Sequence, residues 1–92
     1  MIKKVVILPK AQKDLRGIPG YLRKKFRTWV ESVDLQGLEE VKKIPGYHDH
    51  PLKGGRQGQR AISLNNQYRA VYEVKGNEVE FAEVQDDNKH DY

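Results

Sequence analysis

The sequence predicts an α+β domain: an N-terminal strand, a two-helix hairpin, then an antiparallel β-meander, with the helices on one face of the sheet. Three patterns lead there: a β-branched run at the start, an apolar stripe at helical spacing, and polar–apolar alternation broken by turns towards the end. Lys3–Leu8 (KKVVIL) is β-branched and stops at Pro9, so it reads as a strand. Beyond it, Leu15, Ile18, Leu22, Phe26, Trp29 and Val33 recur every three or four residues among Lys, Arg and Gln, which is one face of an amphipathic helix. Ile18-Pro19-Gly20 interrupts that stripe, because proline disfavours a helical residue before it. Two helices follow, over about 10–17 and 20–35, with Gly37 ending the second and Phe26 and Trp29 assigned to the core. Leu38–Ile44 is expected to add one helical turn with Val41 and Ile44 inward.

Pro45, Gly46, Pro51, Gly54, Gly55 and Gly58 then punctuate a long loop in which no regular structure is expected. A loop of that length in a small domain is usually functional or disordered. This one carries His48, His50, Lys53, Arg56 and Arg60, which favours function. Arg60–Leu64 alternates, Asn65-Asn66-Gln67 turns the chain, Tyr68–Val74 (YRAVYEV) is the next strand, and Gly76-Asn77 leads into Glu78–Val84 (EVEFAEV). The tail Gln85–Tyr92 is polar until His90-Asp91-Tyr92.

Length and composition bound the function. Ninety-two residues make a single domain over 1–92 that buries roughly 65% of its unfolded surface, so a site is expected in a surface groove. A mean hydropathy of -0.84 and the lack of a long apolar run argue against a membrane span, and Val5–Leu8 is too short for a signal-peptide core. The absence of cysteine removes thiol catalysis and cysteine-rich zinc sites and favours a cytoplasmic protein. The net charge of +4 is unevenly spread: residues 1–60 hold 14 Lys/Arg against 6 Asp/Glu, and residues 61–92 hold 3 against 7. A basic face attracts polyanions, nucleic acid foremost, although a merely solvated surface would have the same composition.

Across this framework, His50-Pro51-Leu52-Lys53-Gly54, Gly58, Tyr68-Arg69-Ala70-Val71-Tyr72 and the terminal Lys89-His90-Asp91-Tyr92 resemble the RelE/ParE toxin superfamily, nearest its HigB, YafQ and YoeB branches. The resemblance spans essentially the whole chain and rests on the order of these pieces more than on any one of them. It implies the toxin of a type II toxin–antitoxin pair: a ribosome-dependent endoribonuclease that cuts messenger RNA in the ribosomal A site and is held inactive by a cognate antitoxin. The ParE branch instead poisons DNA gyrase and lacks the nuclease residues. A third reading is a basic RNA-binding module without catalysis.

Metal-free RNA cleavage needs a base for the ribose 2′-hydroxyl, a cation for the charge on the scissile phosphate and an acid for the departing 5′-oxygen. Arg69 suits the phosphate, since its planar fork binds two oxygens and a strand holds it; a structural pairing with Glu73 or Glu83 is the competing explanation. His50, made extended by Pro51, offers an imidazole, a group that ordinarily titrates near 6.5 and suits proton transfer; an exposed loop histidine is the alternative. Lys53 either contacts phosphate or is a solvated loop lysine. The resemblance gives Arg69 and His50 the same roles and implies that His90 and Tyr92 supply acid, base or nucleobase stacking, where a frayed tail would otherwise be expected. Asp91 stands where YoeB-like tails hold histidine, so the general acid is left open between His90 and Tyr92. Arg56, Arg60 and Lys89 are candidate RNA contacts, and Lys10, Lys13, Lys24, Lys25 and Arg27 on the helices either grip ribosomal RNA or form a solvated face. No cofactor is implied. A metal read from His48-Asp49-His50 and His90-Asp91 is set aside, because two histidines one residue apart match no established zinc spacing.

Overall fold

The protein's three-dimensional structure is a computed structural model that describes residues 1–55 and 58–87. Strand β1 (Lys4–Ile7) gives way to helix α1 (Pro9–Arg16), whose first position is a proline that needs no intrahelical N–H partner there. Pro19 stands at the N-cap of helix α2 (Gly20–Gln36), and the Arg23 guanidinium reaches back from α2 to the carbonyls of Ile18 and Leu15, closing the helical hairpin. Gly37 ends α2 with φ 87°, a conformation that favours glycine, and a Cβ there would sit 2.7 Å from the Met1 side chain. A single turn, α3 (Leu38–Val41), follows, and its Leu38 N–H donates to the Ile2 carbonyl at 2.8 Å.

The expected meander forms from β3 (Gln59–Ser63), β4 (Tyr68–Lys75) and β5 (Glu78–Asp86). Its first turn is closed by the Asn65 Oδ1, which accepts from the N–H groups of Gln67 and Tyr68 at 2.9 and 2.7 Å. Strand β1 joins one edge in parallel with β5, placing Val5 opposite Val79 and Ile7 opposite Phe81. The other edge gains a short strand β2 (His50–Pro51), antiparallel to β3, so the sheet order is β1-β5-β4-β3-β2.

That last strand corrects the expectation that the Pro/Gly-rich loop has no regular structure. Pro45–Tyr47 forms one 3-10 turn, tied to α2 by the Tyr47 hydroxyl donating to the Lys25 carbonyl at 3.0 Å, and His50–Pro51 pairs with Ala61 and Arg60. Pro51 is tolerated because β2 is the outermost strand, where a missing N–H breaks no further ladder. Two residues are too few to show alternation, so the sequence pattern does not reveal them.

Period-two alternation, stepped by one residue at a β-bulge where β5 passes Val71 and Tyr72, divides the sheet into unlike faces. Ile62, Ala70, Tyr72, Val79, Phe81 and Val84 turn towards the helices and pack with Leu22, Phe26, Trp29 and Val33. Phe81 sits at the centre of this core, with ring centroids 4.7 Å from Phe26, 5.3 Å from Trp29 and 5.4 Å from Tyr72. Helix α1 is pinned to β5 by Asp14, which accepts from the Val84 N–H at 3.0 Å and from Lys10 at 2.9 Å.

Asp49, the residue before β2, is buried beneath the sheet edge with its side chain 0% exposed. Its Oδ1 accepts from Arg60 Nε at 2.7 Å, and its Oδ2 accepts from the Tyr72 hydroxyl at 2.6 Å. A single carboxylate therefore joins the end of the loop to β3 and β4. Burial first, and then the hydrogen bond to Asp49, push the Tyr72 phenol far above the usual tyrosine range, so it remains a donor.

Two stability changes follow from this packing. Phe81→Ala should cost about 3–5 kcal/mol in urea unfolding, and a loss below about 1 kcal/mol would contradict its central place. Arg60→Ala should cost roughly 2–4 kcal/mol, because it strands a buried carboxylate, whereas Lys53→Ala should change stability by less than about 0.5 kcal/mol. Equal, small effects in the same unfolding experiment would mean that Arg60 is only a surface charge.

Candidate active site

The face of the sheet turned away from the helices carries Ala61 and Ser63 on β3 and Arg69 and Val71 on β4, as the register of the two strands requires. His50 pairs with Ala61 and so joins this face from the edge. Ala61 and Val71 are fully buried yet lie outside the helix-side cluster, which gives the face a dry floor. Beside that floor, His50, Pro51, Leu52, Lys53 and Arg69 line a groove of about 320 Å³. Three of the residues selected for chemistry, His50, Lys53 and Arg69, thus border one surface cleft.

Each is held differently. Arg69, 27% exposed at its side chain, donates through Nε to Gln85 Oε1 at 2.7 Å and pairs with Asp87 at 3.3 Å. Its partners are on β5 and just beyond, in place of the Glu73 or Glu83 considered from sequence. Gln85 is itself oriented by donating to Glu83 Oε2 at 3.2 Å. The guanidinium is therefore braced along its stem at the groove wall, the arrangement that lets a fork bind an oxyanion without first being ordered.

His50 Nδ1 lies 2.8 Å from the carbonyl oxygen of His48. A carbonyl can only accept, so in neutral His50 the proton resides on Nδ1 and the lone pair on Nε2. That tautomer leaves Nε2 as the nitrogen able to take a proton. His48 itself adopts a left-handed conformation at φ 48°, and its ring centroid is 5.0 Å from that of His50. Lys53 follows β2 with an exposed side chain at the groove rim.

Arg60 is placed elsewhere. It stands opposite Tyr72 and shares the strand face of Ile62, so it points to the helix side and is engaged by Asp49. The structure gives it a pairing within the fold, for a reason visible in the alternation Arg60, Ile62, Leu64. Arg56, Lys89, His90 and Tyr92 lie outside the described residues. The helical lysines border no part of this groove; Lys10 pairs with Asp14 and Glu83, and Lys25 lies 5.4 Å over the Tyr47 ring.

Residues that sequence reasoning passed over are those that hold the site. Asp49 stands between two histidines and reads in the sequence as a metal ligand, but both of its oxygens are taken by Arg60 and Tyr72. Gln85 and Asp87 had no motif to mark them. A second groove of about 220 Å³, between Ile7, Leu15, Phe26 and Val30 with Arg23 and Arg27, is mostly apolar and contains no group suited to proton transfer at neutral pH.

No family model matches the sequence, and no curated protein matches it. Solved structures do. The YoeB dimer from Staphylococcus aureus superposes with a TM-score of 0.69 at 20% identity, covering 92% of this chain and 97% of that one. RelE in the RelB-RelE antitoxin-toxin complex of Methanococcus jannaschii gives 0.70 at 20% identity, covering 91% and 92%. The E. coli DinJ-YafQ toxin-antitoxin complex gives 0.63 at 16% identity, covering 97% and 98%. The chain therefore shares its fold with these YoeB, RelE and YafQ structures.

Proposed function

We propose that this protein is the toxin of a type II toxin–antitoxin pair and an endoribonuclease that cleaves messenger RNA in the ribosomal A site without a metal. The observation that carries the reading is the convergence of His50, Lys53 and Arg69 on one groove. A module that only bound RNA would need the two cations but not an imidazole whose tautomer is set by a neighbouring carbonyl.

In the proposed reaction, His50 Nε2 takes the proton of a ribose 2′-hydroxyl. The freed oxygen attacks the adjacent phosphorus, and the bond to the 5′-oxygen of the next nucleotide breaks. Arg69 and Lys53 hold the negative charge that grows on the non-bridging oxygens. A group of the C-terminal tail, His90 or Tyr92, returns a proton to the 5′-oxygen. The products are a 2′,3′-cyclic phosphate and a 5′-hydroxyl, so RNA is cut and DNA, lacking the nucleophile, is spared. Arg56 and Lys89 add phosphate contacts, and Tyr92 stacks on a base. An antitoxin is the expected partner, as RelB and DinJ are for the structurally similar toxins, and the cytoplasm, where ribosomes work, is the expected compartment.

Primer extension in a translation extract tests this directly. The wild-type protein should produce discrete cuts within codons, undiminished by a transition-metal chelator that spares the ribosome's magnesium. His50→Ala and Arg69→Ala should each lower cleavage by about 10²–10⁴-fold while changing unfolding free energy by no more than about 1 kcal/mol. Removing Asp91-Tyr92 should also reduce cleavage by orders of magnitude. Intact RNA accompanied by DNA damage would instead indicate a gyrase-directed toxin, and a fully active Arg69→Ala protein would remove that residue from the site.

A further inference from the structure

Strand β2 is a weak support for a reacting group. It has two residues, one of them a proline, and it occupies the sheet edge. Ladder pairing alone leaves such a segment free to slip or lift. The Leu52 N–H donating to the Gln59 carbonyl at 2.9 Å steadies its far end, and on the helix side the residue just before it supplies the anchor. Asp49 reaches under the edge to Arg60 on β3 and Tyr72 on β4, at 2.7 and 2.6 Å. Successive side chains of an extended segment point to opposite faces, so clamping Asp49 on the helix side presents His50 on the groove side. The same clamp is flanked by the left-handed His48, whose carbonyl meets His50 Nδ1 at 2.8 Å.

We infer that Asp49 is the positioning residue of the groove: its carboxylate, shared between Tyr72 and Arg60, sets both the place and the tautomer of His50. The inference rests on the functional reading above for what His50 does, but not for how His50 is held. A carboxylate suits this place because each donor takes one oxygen. Asparagine has one acceptor oxygen, so with Arg60 on it the amide N–H would face the Tyr72 hydroxyl, which would have to turn from donor to acceptor. Tyr72 belongs to this device as much as to the core. Its ring packs 5.5 Å from Trp29 and 5.4 Å from Phe81, while its hydroxyl serves Asp49.

The test uses the full chain and two variants. Tyr72→Phe keeps the packed ring and deletes one hydrogen bond, so it should fold; Asp49→Asn removes the charge. Two quantities are read in each: the nitrogen-15 signature of the His50 imidazole, which reports its tautomer, and single-turnover cleavage of ribosome-bound messenger RNA beside the Kd for a non-cleavable 2′-deoxy oligonucleotide. The expected result is a His50 signal moved from the Nδ1–H form towards the Nε2–H form in both variants. Cleavage should fall about tenfold in Tyr72→Phe and about 100-fold in Asp49→Asn, with Kd unchanged. An unmoved His50 signal overturns the inference, even if cleavage falls with the folded fraction. So does a moved signal with undiminished cleavage by an active protein. If the wild-type protein cuts no RNA, the functional reading fails, and the imidazole signal alone still decides whether Asp49 holds His50.

Discussion

The carboxylate of Asp49 sits where the long loop meets the sheet, and the groove depends on that joint. It is buried, it accepts from a cation on β3 and a phenol on β4, and it draws the segment 48–51 against strands that are otherwise complete without it. A buried charge is tolerated only when its partners are well placed, and removing one of them costs more than the pair contributes. His50 is on one side of the joint and the aromatic core on the other.

This links the core to the chemistry in a short chain of contacts. Trp29 and Phe81 pack against the Tyr72 ring, with Phe26 against Phe81; Tyr72 with Arg60 holds Asp49, and Asp49 holds the edge that carries His50. Arg69 is braced independently, through Gln85 and Asp87, from the far side of the groove. Because the helices cover one face of the sheet, the other is left for charged groups whose floor, Ala61 and Val71, is already dry. A small domain cannot enclose a substrate, but it can present cations and an imidazole on a rigid strand surface, where they are ordered before anything binds.

Much of this was legible in advance, and the physical reason differs from part to part. The helices announced themselves through a stripe from Leu15 to Val33, because a long amphipathic period survives local exceptions. The meander was marked by its turns, and Trp29 and Phe26 are core residues as expected. His50, Lys53 and Arg69 carried chemical types that invite a phosphate, and they meet in one groove. Strand β2 was hidden because two residues have no period, and the parallel pairing of β1 with β5 was hidden because nothing local specifies a partner far away in sequence. Asp49 was hidden for a subtler reason: between two histidines it looked like part of a ligand set, and only the fold shows two donors already facing it. The direction of Arg60 could have been read, since it alternates in step with Ile62 and Leu64, but its charge drew attention to solvent instead.

The central claim is that the helix-free face of the sheet, between β2 and β4, is where a ribose-phosphate link is held. The most direct measurement is an NMR titration of the isotope-labelled protein with a short 2′-deoxy oligonucleotide that binds without being cut, following backbone amides together with the imidazole and guanidinium nitrogens. The account predicts that the largest shifts fall on His50, Leu52, Lys53 and Arg69, with Arg60 and the helix α2 surface little changed. Shifts concentrated on the helices, with the His50 and Arg69 side chains silent at saturation, would contradict it.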